Sequence, residues 1–194
     1  MKKISISGMC ILLGSCVICY AGYLFVENQQ IEMKARKNSA IIVEKLLVVM
    51  DTDSDESDRL EQADETSEYN IEVEDNLYSG ILTIPKLELT LPIQTEWSYS
   101  NLKDSPCIYQ EIPFSIAAHN YQAHFGQLID LEIGDEAIYT KVSGIETVYQ
   151  VVEITQIAET EVAQLEVMIY DMTLFTCDYN DNNKRILVRF NEKL

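Results

Sequence analysis

Hydrophobic and polar positions divide the chain into four stretches that follow different rules. Residues 4–26 form an uncharged, mostly apolar run behind Lys2 and Lys3, about the length of helix that crosses a bilayer. Residues 27–50 contain neither Gly nor Pro and carry the apolar cluster Ile41, Ile42, Val43, Leu46, Leu47, Val48 and Val49. They predict a helix continuing out of the first run, a spacer whose apolar cluster is free to pack on a membrane surface, on the domain or on a partner. Residues 51–77 are acidic, opposed by Arg59 alone, and hold too few large apolar side chains to offset the entropy of ordering; they predict a flexible, self-repelling linker. From Tyr78 the texture changes to short β-rich runs broken by turn residues. The predicted strands cover 80–84, 87–91, 114–118, 136–141, 147–154, 172–176 and 185–190. Helical turns fit 98–102, 125–130 and 161–165. Many strands with few, short helices predict an antiparallel barrel or sandwich over residues 78–194.

Charge gives this layout a direction. Lysines at the start of an apolar run stay on the cytoplasmic side, so residues 1–26 read as a single-pass membrane anchor with the rest of the chain outside the cell. A cleaved signal peptide has a shorter apolar core ending in a small-residue cleavage site. Leu13-Gly14-Ser15-Cys16 loosely resembles a lipoprotein processing site, but the apolar run continues through Phe25. A chain of 194 residues accommodates one domain with accessory segments. Its 14 basic against 32 acidic residues give a formal charge of -18, which excludes electrostatic attraction to nucleic acid.

Of five cysteines, Cys10, Cys16 and Cys19 lie in the apolar run, where a small side chain packs easily, and only Cys107 and Cys177 remain in the exported part. Two cysteines cannot form a disulfide framework, which leaves a single bridge or a free reactive thiol. The surroundings of Cys177 favour the thiol. It ends the apolar segment Thr173-Leu174-Phe175-Thr176, and a polar loop, Asp178-Tyr179-Asn180-Asp181-Asn182-Asn183, follows. A cysteine there is held by a strand and reachable from solvent. The returning strand begins at Lys184-Arg185, so a hairpin brings Arg185 near Cys177, where a guanidinium can bind a developing oxyanion. Upstream, Phe114-Ser115-Ile116-Ala117-Ala118 runs into His119, one of two histidines in the chain. A thiolate that attacks an acyl carbon needs a proton donor for the leaving amine, and an imidazole supplies it. Arg189 competes with Arg185, because four residues along a strand restore the same face.

Other residues carry weaker signals. Thr176 and His124 are candidate substrate-binding residues, with His124 alternatively orienting the loop after His119. Cys107, in Ser105-Pro106-Cys107, reads as a buried small hydrophobe. Cys107, His119, His124 and Cys177 are zinc-ligand types without a paired Cys-x-x-Cys spacing, and no metal site is expected. Asp178 would raise the thiol pKa if it faced the sulfur; strand alternation turns it away, as a turn residue.

These residues resemble a known family, the sortases. TLFTC at 173–177 is similar to that family's TLxTC signature, and RILVR from Arg185 to its arginine-bearing final strand. AAHNY around His119, then HFGQL and IGDE at 133–136, resemble the stretch around the family's histidine, and YSGILTIPKLELTLPI at 78–93 its entry strands. One departure is Ala118, where relatives often carry Gly before the histidine; it adds a methyl group and removes no chemistry. The resemblance implies a mostly β, sortase-type antiparallel β-barrel with short helices, preceded here by the transmembrane helix. It implies Cys177 as nucleophile, His119 as general acid and base, and Arg185 as oxyanion stabiliser, the family's arginine opening this strand.

The resemblance further implies a cysteine transpeptidase of Gram-positive bacteria, acting on the cell-wall side of the plasma membrane. Its substrates would be exported proteins with a C-terminal sorting signal similar to LPxTG. The acceptor amine would come from a cell-wall precursor or a pilin. No cofactor is required. Some relatives bind calcium in a loop, but the acidic residues here sit mostly in the linker, and no calcium site is expected. Two other readings remain open: a cysteine peptidase that passes the same acyl group to water, and a membrane-tethered peptide-binding module in which Cys177 is structural.

Overall fold

The structure, a computed structural model, describes residues 6–56 and 70–193. It divides into two units, residues 1–34 and 35–194. The first five residues of the expected anchor and residues 57–69 of the expected acidic linker lie outside the described residues. Within the first unit the chain is helical from Ile6 onward, the start of α1 (Ile6–Glu56). Leu13, Val17, Ile18, Tyr20, Leu24 and Phe25 are all exposed on it. Among the described residues no helix is long and apolar enough to cross a membrane.

Among the described residues the second unit has nine strands: β1 (Ile71–Val73), β2 (Asn76–Ile84), β3 (Leu89–Gln94), β4 (Cys107–Gln110), β5 (Ser115–Ala117), β6 (Glu136–Lys141), β7 (Glu146–Ala158), β8 (Met172–Cys177) and β9 (Lys184–Glu192). They hydrogen-bond in the order β1-β2-β3-β4-β5-β8-β9-β7-β6, and β2 also pairs with β6. That last pairing closes β2 through β9 into an eight-stranded barrel with β1 outside the ring. Closure demands a close approach at Gly80, where a Cβ would collide with the carbonyl oxygen of Thr140 and the Tyr139 ring; only glycine leaves that room.

The barrel departs from the antiparallel expectation at two seams. β3 runs parallel to β4 through the pair Gln94↔Cys107, and β5 runs parallel to β8 through Ser115↔Thr173, Ile116↔Leu174 and Ala117↔Phe175. The reason is the connections. Residues 95–106 and 118–171 are crossovers rather than hairpins, and a crossover returns the chain in the same direction. Short 3₁₀ turns at Asn101–Lys103, Leu128–Asp130 and Val162–Glu166 decorate these connections, and another at Pro85–Leu87 joins β2 to β3.

Period-two alternation fills the barrel. Leu82, Ile84, Leu91, Ile93, Ile116, Met172, Leu174, Val188 and Phe190 pack inside, joined by Phe125 and Leu128 from the loop after β5. A second cluster lies outside the ring. Ile42, Val43 and Leu46 of α1, spaced to form one helical stripe, are buried with Val73, Tyr78 and Ile81 of the β1–β2 hairpin. Ile42, Val43 and Leu46 of the predicted spacer's apolar cluster therefore pack on the domain, while Ile41, Leu47 and Val48 stay exposed. The sheet also takes in residues 71–77, which the sequence reading placed in the linker. Their hairpin turns at Glu74 and Asp75 with φ of 52° and 64°, the left-handed pair of a type I′ turn. Lys45 of α1 pairs with the Glu74 carboxylate.

Candidate active site

Alternation along β8 sends Met172, Leu174 and Thr176 inward and Thr173, Phe175 and Cys177 outward. Cys177 is a free, half-buried thiol on the outer face at the last residue of the strand. Beyond it the chain turns on itself: Asn180 N donates to Asp178 Oδ1 at 2.7 Å, Asn183 N to Asp181 Oδ1 at 3.0 Å, and Asp178 N to the Lys184 carbonyl at 3.0 Å. These Asx turns explain the Asn/Asp-rich loop. The buried Asp178 carboxylate also accepts from the Gln156 side chain. It is a turn and packing residue, as alternation implied.

Parallel pairing with β8 brings in the histidine. Ala118 N donates to the Phe175 carbonyl at 3.2 Å, and the inward hydroxyl of Thr176 donates to the Ala118 carbonyl at 2.9 Å. These two bonds fix the backbone of Ala118, one residue before His119, to the Phe175 carbonyl and the Thr176 side chain just before Cys177. The imidazole of His119 is half-buried and stacks at 5.0 Å from the Tyr121 ring. Burial first, and then the nearby Lys103 ammonium, hold its pKa below the ordinary histidine value. Both disfavour a positive charge.

The loop after His119 is tied to itself. Phe125 N donates to the His119 carbonyl at 3.2 Å, and His124 N and Gly126 N donate to the Tyr121 carbonyl at 2.9 and 2.8 Å. A Cβ at Gly126 would lie 2.6 Å from the Asn120 carbonyl oxygen, so only glycine closes this turn. His124 is completely buried, 5.6 Å from the Tyr121 ring, and neither ring nitrogen has a partner among the described residues. Burial, with a smaller push from His119, lowers it to about 4. Neither Thr176 nor His124 reaches the surface, at 3% and 0% exposure; one hydroxyl is spent on Ala118, and one ring is wedged beneath the loop.

The two arginines of β9 have different surroundings. Arg185 is the Cα partner of Cys177 in the β8–β9 ladder, and its half-buried side chain lies on the same outer face. Its Nη1 donates to the Asn182 and Lys184 carbonyls at 2.8 and 2.9 Å, and its Nη2 to Glu159 Oε2 at 3.3 Å. Arg189 pairs instead with Thr173 and is buried at 4% exposure. It reaches both Glu153 oxygens at 3.2 Å and the Gln164 carbonyl at 2.8 Å, and its guanidinium lies 4.8 Å from the Tyr170 ring centroid. It fastens the β7–β8 connection to the barrel wall, where Leu165 covers Leu187 and Ile157.

Cys107 is fully buried beside Leu102 and Ala117, donates to the Ser105 carbonyl at 3.4 Å, and is pushed up to about 12 by burial. It is a packing thiol. Among the described residues no group of three His, Cys, Asp or Glu side chains is placed to hold a metal ion. Lys103 beside His119 and Glu159 on Arg185 escaped the sequence reading. Their contacts span 16 and 26 residues, and no local pattern marks such pairs.

Comparison with known proteins follows the same residues. The sortase-domain family pattern matches residues 82–192. No curated protein matches the chain. Among solved structures, sortase A of Listeria monocytogenes superposes with a TM-score of 0.55 at 22% identity, over 60% of this chain and 88% of that one. Sortase C1 of Streptococcus agalactiae in complex with MTSET gives 0.54 at 25% identity, over 59% and 67%. Clostridium perfringens sortase C with the C-terminal cell wall sorting motif gives 0.56 at 22% identity, over 78% and 89%.

Proposed function

Because the chain belongs to the sortase family, we propose that it is a cysteine transpeptidase in which Cys177, His119 and Arg185 act together on a C-terminal sorting signal similar to LPxTG. The observation that carries this reading is the double tie around Cys177: its Cα pairing with Arg185 on one side, and the Thr176–Ala118 hydrogen bond that seats His119 on the other.

The steps follow from the groups present. The Cys177 thiolate attacks the carbonyl carbon of the scissile peptide bond, forming a C–S bond and a tetrahedral oxyanion. Arg185 donates to that oxyanion; its guanidinium stays charged, so it stabilises without moving a proton. As the C–N bond breaks, protonated His119 gives its proton to the leaving amine, and a thioester remains on Cys177. An incoming amine then attacks the thioester, His119 takes its proton, a new amide forms, and the thiolate departs. The lowered imidazole pKa disfavours the imidazolium form of His119 that must donate its proton to the leaving amine.

Residues 4–26 anchor the enzyme in the plasma membrane, with the barrel on the cell-wall side. The support is the lysine-flanked apolar run and the exposed apolar side chains of residues 13–26, which bury readily in lipid. The acceptor is an amine of a cell-wall precursor or a pilin.

Incubation with a sorting-motif peptide, followed by intact mass measurement, tests the reading. The expected product is an acyl-enzyme on Cys177 that an added amine diverts from hydrolysis to ligation. Turnover by Cys177→Ala would refute the mechanism, and indifference to added amine would make the protein a peptidase.

A further inference from the structure

Arg185 faces two demands that its geometry separates. To serve as oxyanion donor, on which the argument here rests, its guanidinium must lie over Cys177 on the β8 side. Its three recorded acceptors are the Asn182 carbonyl in the hairpin loop, the Lys184 carbonyl at the start of β9, and Glu159 just beyond the end of β7. Strand β9 sits between β7 and β8, with Ile157↔Arg185 on one flank and Cys177↔Arg185 on the other. Paired residues on neighbouring strands stand about 4.5–5.5 Å apart, so a long arginine side chain spans either flank by changing rotamer alone. In the structure its Nη2 is held by Glu159, beyond the end of β7.

The Glu159 carboxylate is itself placed. Its backbone N–H donates to the Asn183 carbonyl at 2.7 Å, which ties the end of β7 to the loop that also holds Arg185 Nη1. The hairpin loop, the first residue of β9 and the end of β7 therefore supply every recorded partner of the guanidinium. The pair is half in solvent, with side-chain exposures of 26% for Arg185 and 47% for Glu159, so the hold is weak and exchangeable rather than structural. Arg189 shows the contrast: its guanidinium is 5% exposed and has partners on two sides, and it has no freedom to move.

We propose that Glu159 is a positioning residue that holds the Arg185 guanidinium in a resting pose, and that the oxyanion of a bound acyl substrate displaces it. Free enzyme then carries a guanidinium whose charge is matched by a carboxylate. Substrate exchanges one oxygen acceptor for another, and the released Glu159 carboxylate, already half in solvent, is left to water. An exposed carboxylate–guanidinium pair biases such an equilibrium by about two- to fivefold, small enough for each turnover to reverse.

The experiment is a double-mutant cycle on acyl-enzyme formation from a sorting-motif peptide, using the full chain. Glu159→Gln, Arg185→Ala and the double variant are compared with the unaltered protein by rapid quench and intact mass. Glu159→Gln is expected to raise kcat/KM about two- to fivefold and to weaken the acceleration that added salt gives the unaltered enzyme. In the Arg185→Ala background the same substitution is expected to change nothing. A rate lowered by Glu159→Gln would overturn the proposal, since Glu159 would then aim the guanidinium at the site. An equal effect in both backgrounds would overturn it as well, by reducing Glu159 to a loop residue. Wild-type rates in Arg185→Ala would remove the oxyanion role and the proposal together. A slow Arg185→Ala with an unaccelerated Glu159→Gln would remove the proposal alone.

Discussion

Arg189 donates from one guanidinium nitrogen to both carboxylate oxygens of Glu153 at 3.2 Å, while Arg185, four residues earlier on the same face, is the Cα partner of Cys177. The two arginines should fail in different ways. Glu153→Ala leaves a buried guanidinium without its counter-charge and is expected to cost about 3 kcal/mol of stability, the low end for breaking a buried pair because Glu153 is partly exposed. Arg185→Ala should leave the thermal midpoint near that of the unaltered protein and slow acylation by about 10²–10³, as loss of an oxyanion donor does. Thermal unfolding and acyl-enzyme trapping on the same samples check both. A stable Glu153→Ala protein or an undiminished Arg185→Ala rate would reverse the assignment.

His124 makes stability depend on pH. Its folded pKa is lowered to about 4 by burial, below the unfolded histidine value of about 6.5. Between those values the unfolded chain binds the extra proton, so stability rises with pH across that window. The contribution is complete above about pH 6.5 and is lost as pH falls toward 4; by linkage its upper bound is about 3 kcal/mol. Denaturant unfolding at a series of pH values should show this slope, and His124→Phe should flatten it. An unchanged slope in the variant would place the dependence on other groups.

Lys103 acts on the pH profile of the reaction rather than on the fold. Its ammonium is the second cause, after burial, of the lowered His119 pKa. Lys103→Gln should therefore raise that pKa and move the histidine limb of the kcat/KM profile to higher pH, with little change in thermal midpoint. Adding salt should move the unaltered protein in the same direction and the variant less.

The helix α1 is expected to be part of the stable unit. Leu46 is fully buried between the helix and the β1–β2 hairpin, and Leu46→Ala should cost about 2–5 kcal/mol. A chain beginning at Tyr78 would uncover Ile81 and should aggregate, whereas one beginning at Ala35 should stay monomeric. Equal behaviour of the two would show that the helix adds nothing.

The sequence carried the parts of this architecture that local rules encode. β6 was predicted at its observed bounds because Glu136–Lys141 alternates cleanly between turns. The β8–β9 hairpin was legible from its Asn/Asp loop, and with it the approach of Arg185 to Cys177. β4 was missed because four residues behind Pro106 give too short a pattern. β1 was missed because Ile71 and Val73 alternate with Glu72 inside an acidic stretch, and the helix stripe that makes their burial worthwhile lies in a separate segment. The parallel β5–β8 seam, which seats His119, joins residues 58 apart in sequence. No local signal encodes such a partner. The sequence reading preferred Arg185 but kept Arg189 as a competitor, since Glu153, the ion-pair partner of Arg189, lies 36 residues away.

Barrel closure has a consequence for crowding. A sheet edge is a row of unsatisfied donors and acceptors, and an open edge recruits strands from neighbouring molecules. Here the Gly80 contact lets β2 bond to both β3 and β6, so β2 is flanked on both sides by strands of its own ring. Among the described strands only β1 stands outside the ring, three residues long with Glu72 at its centre and two further acids in its turn. That short, negatively charged margin makes a poor template. Many copies gathered on one surface should remain individual molecules, free to meet other chains through their reactive face instead of fusing along their backbones.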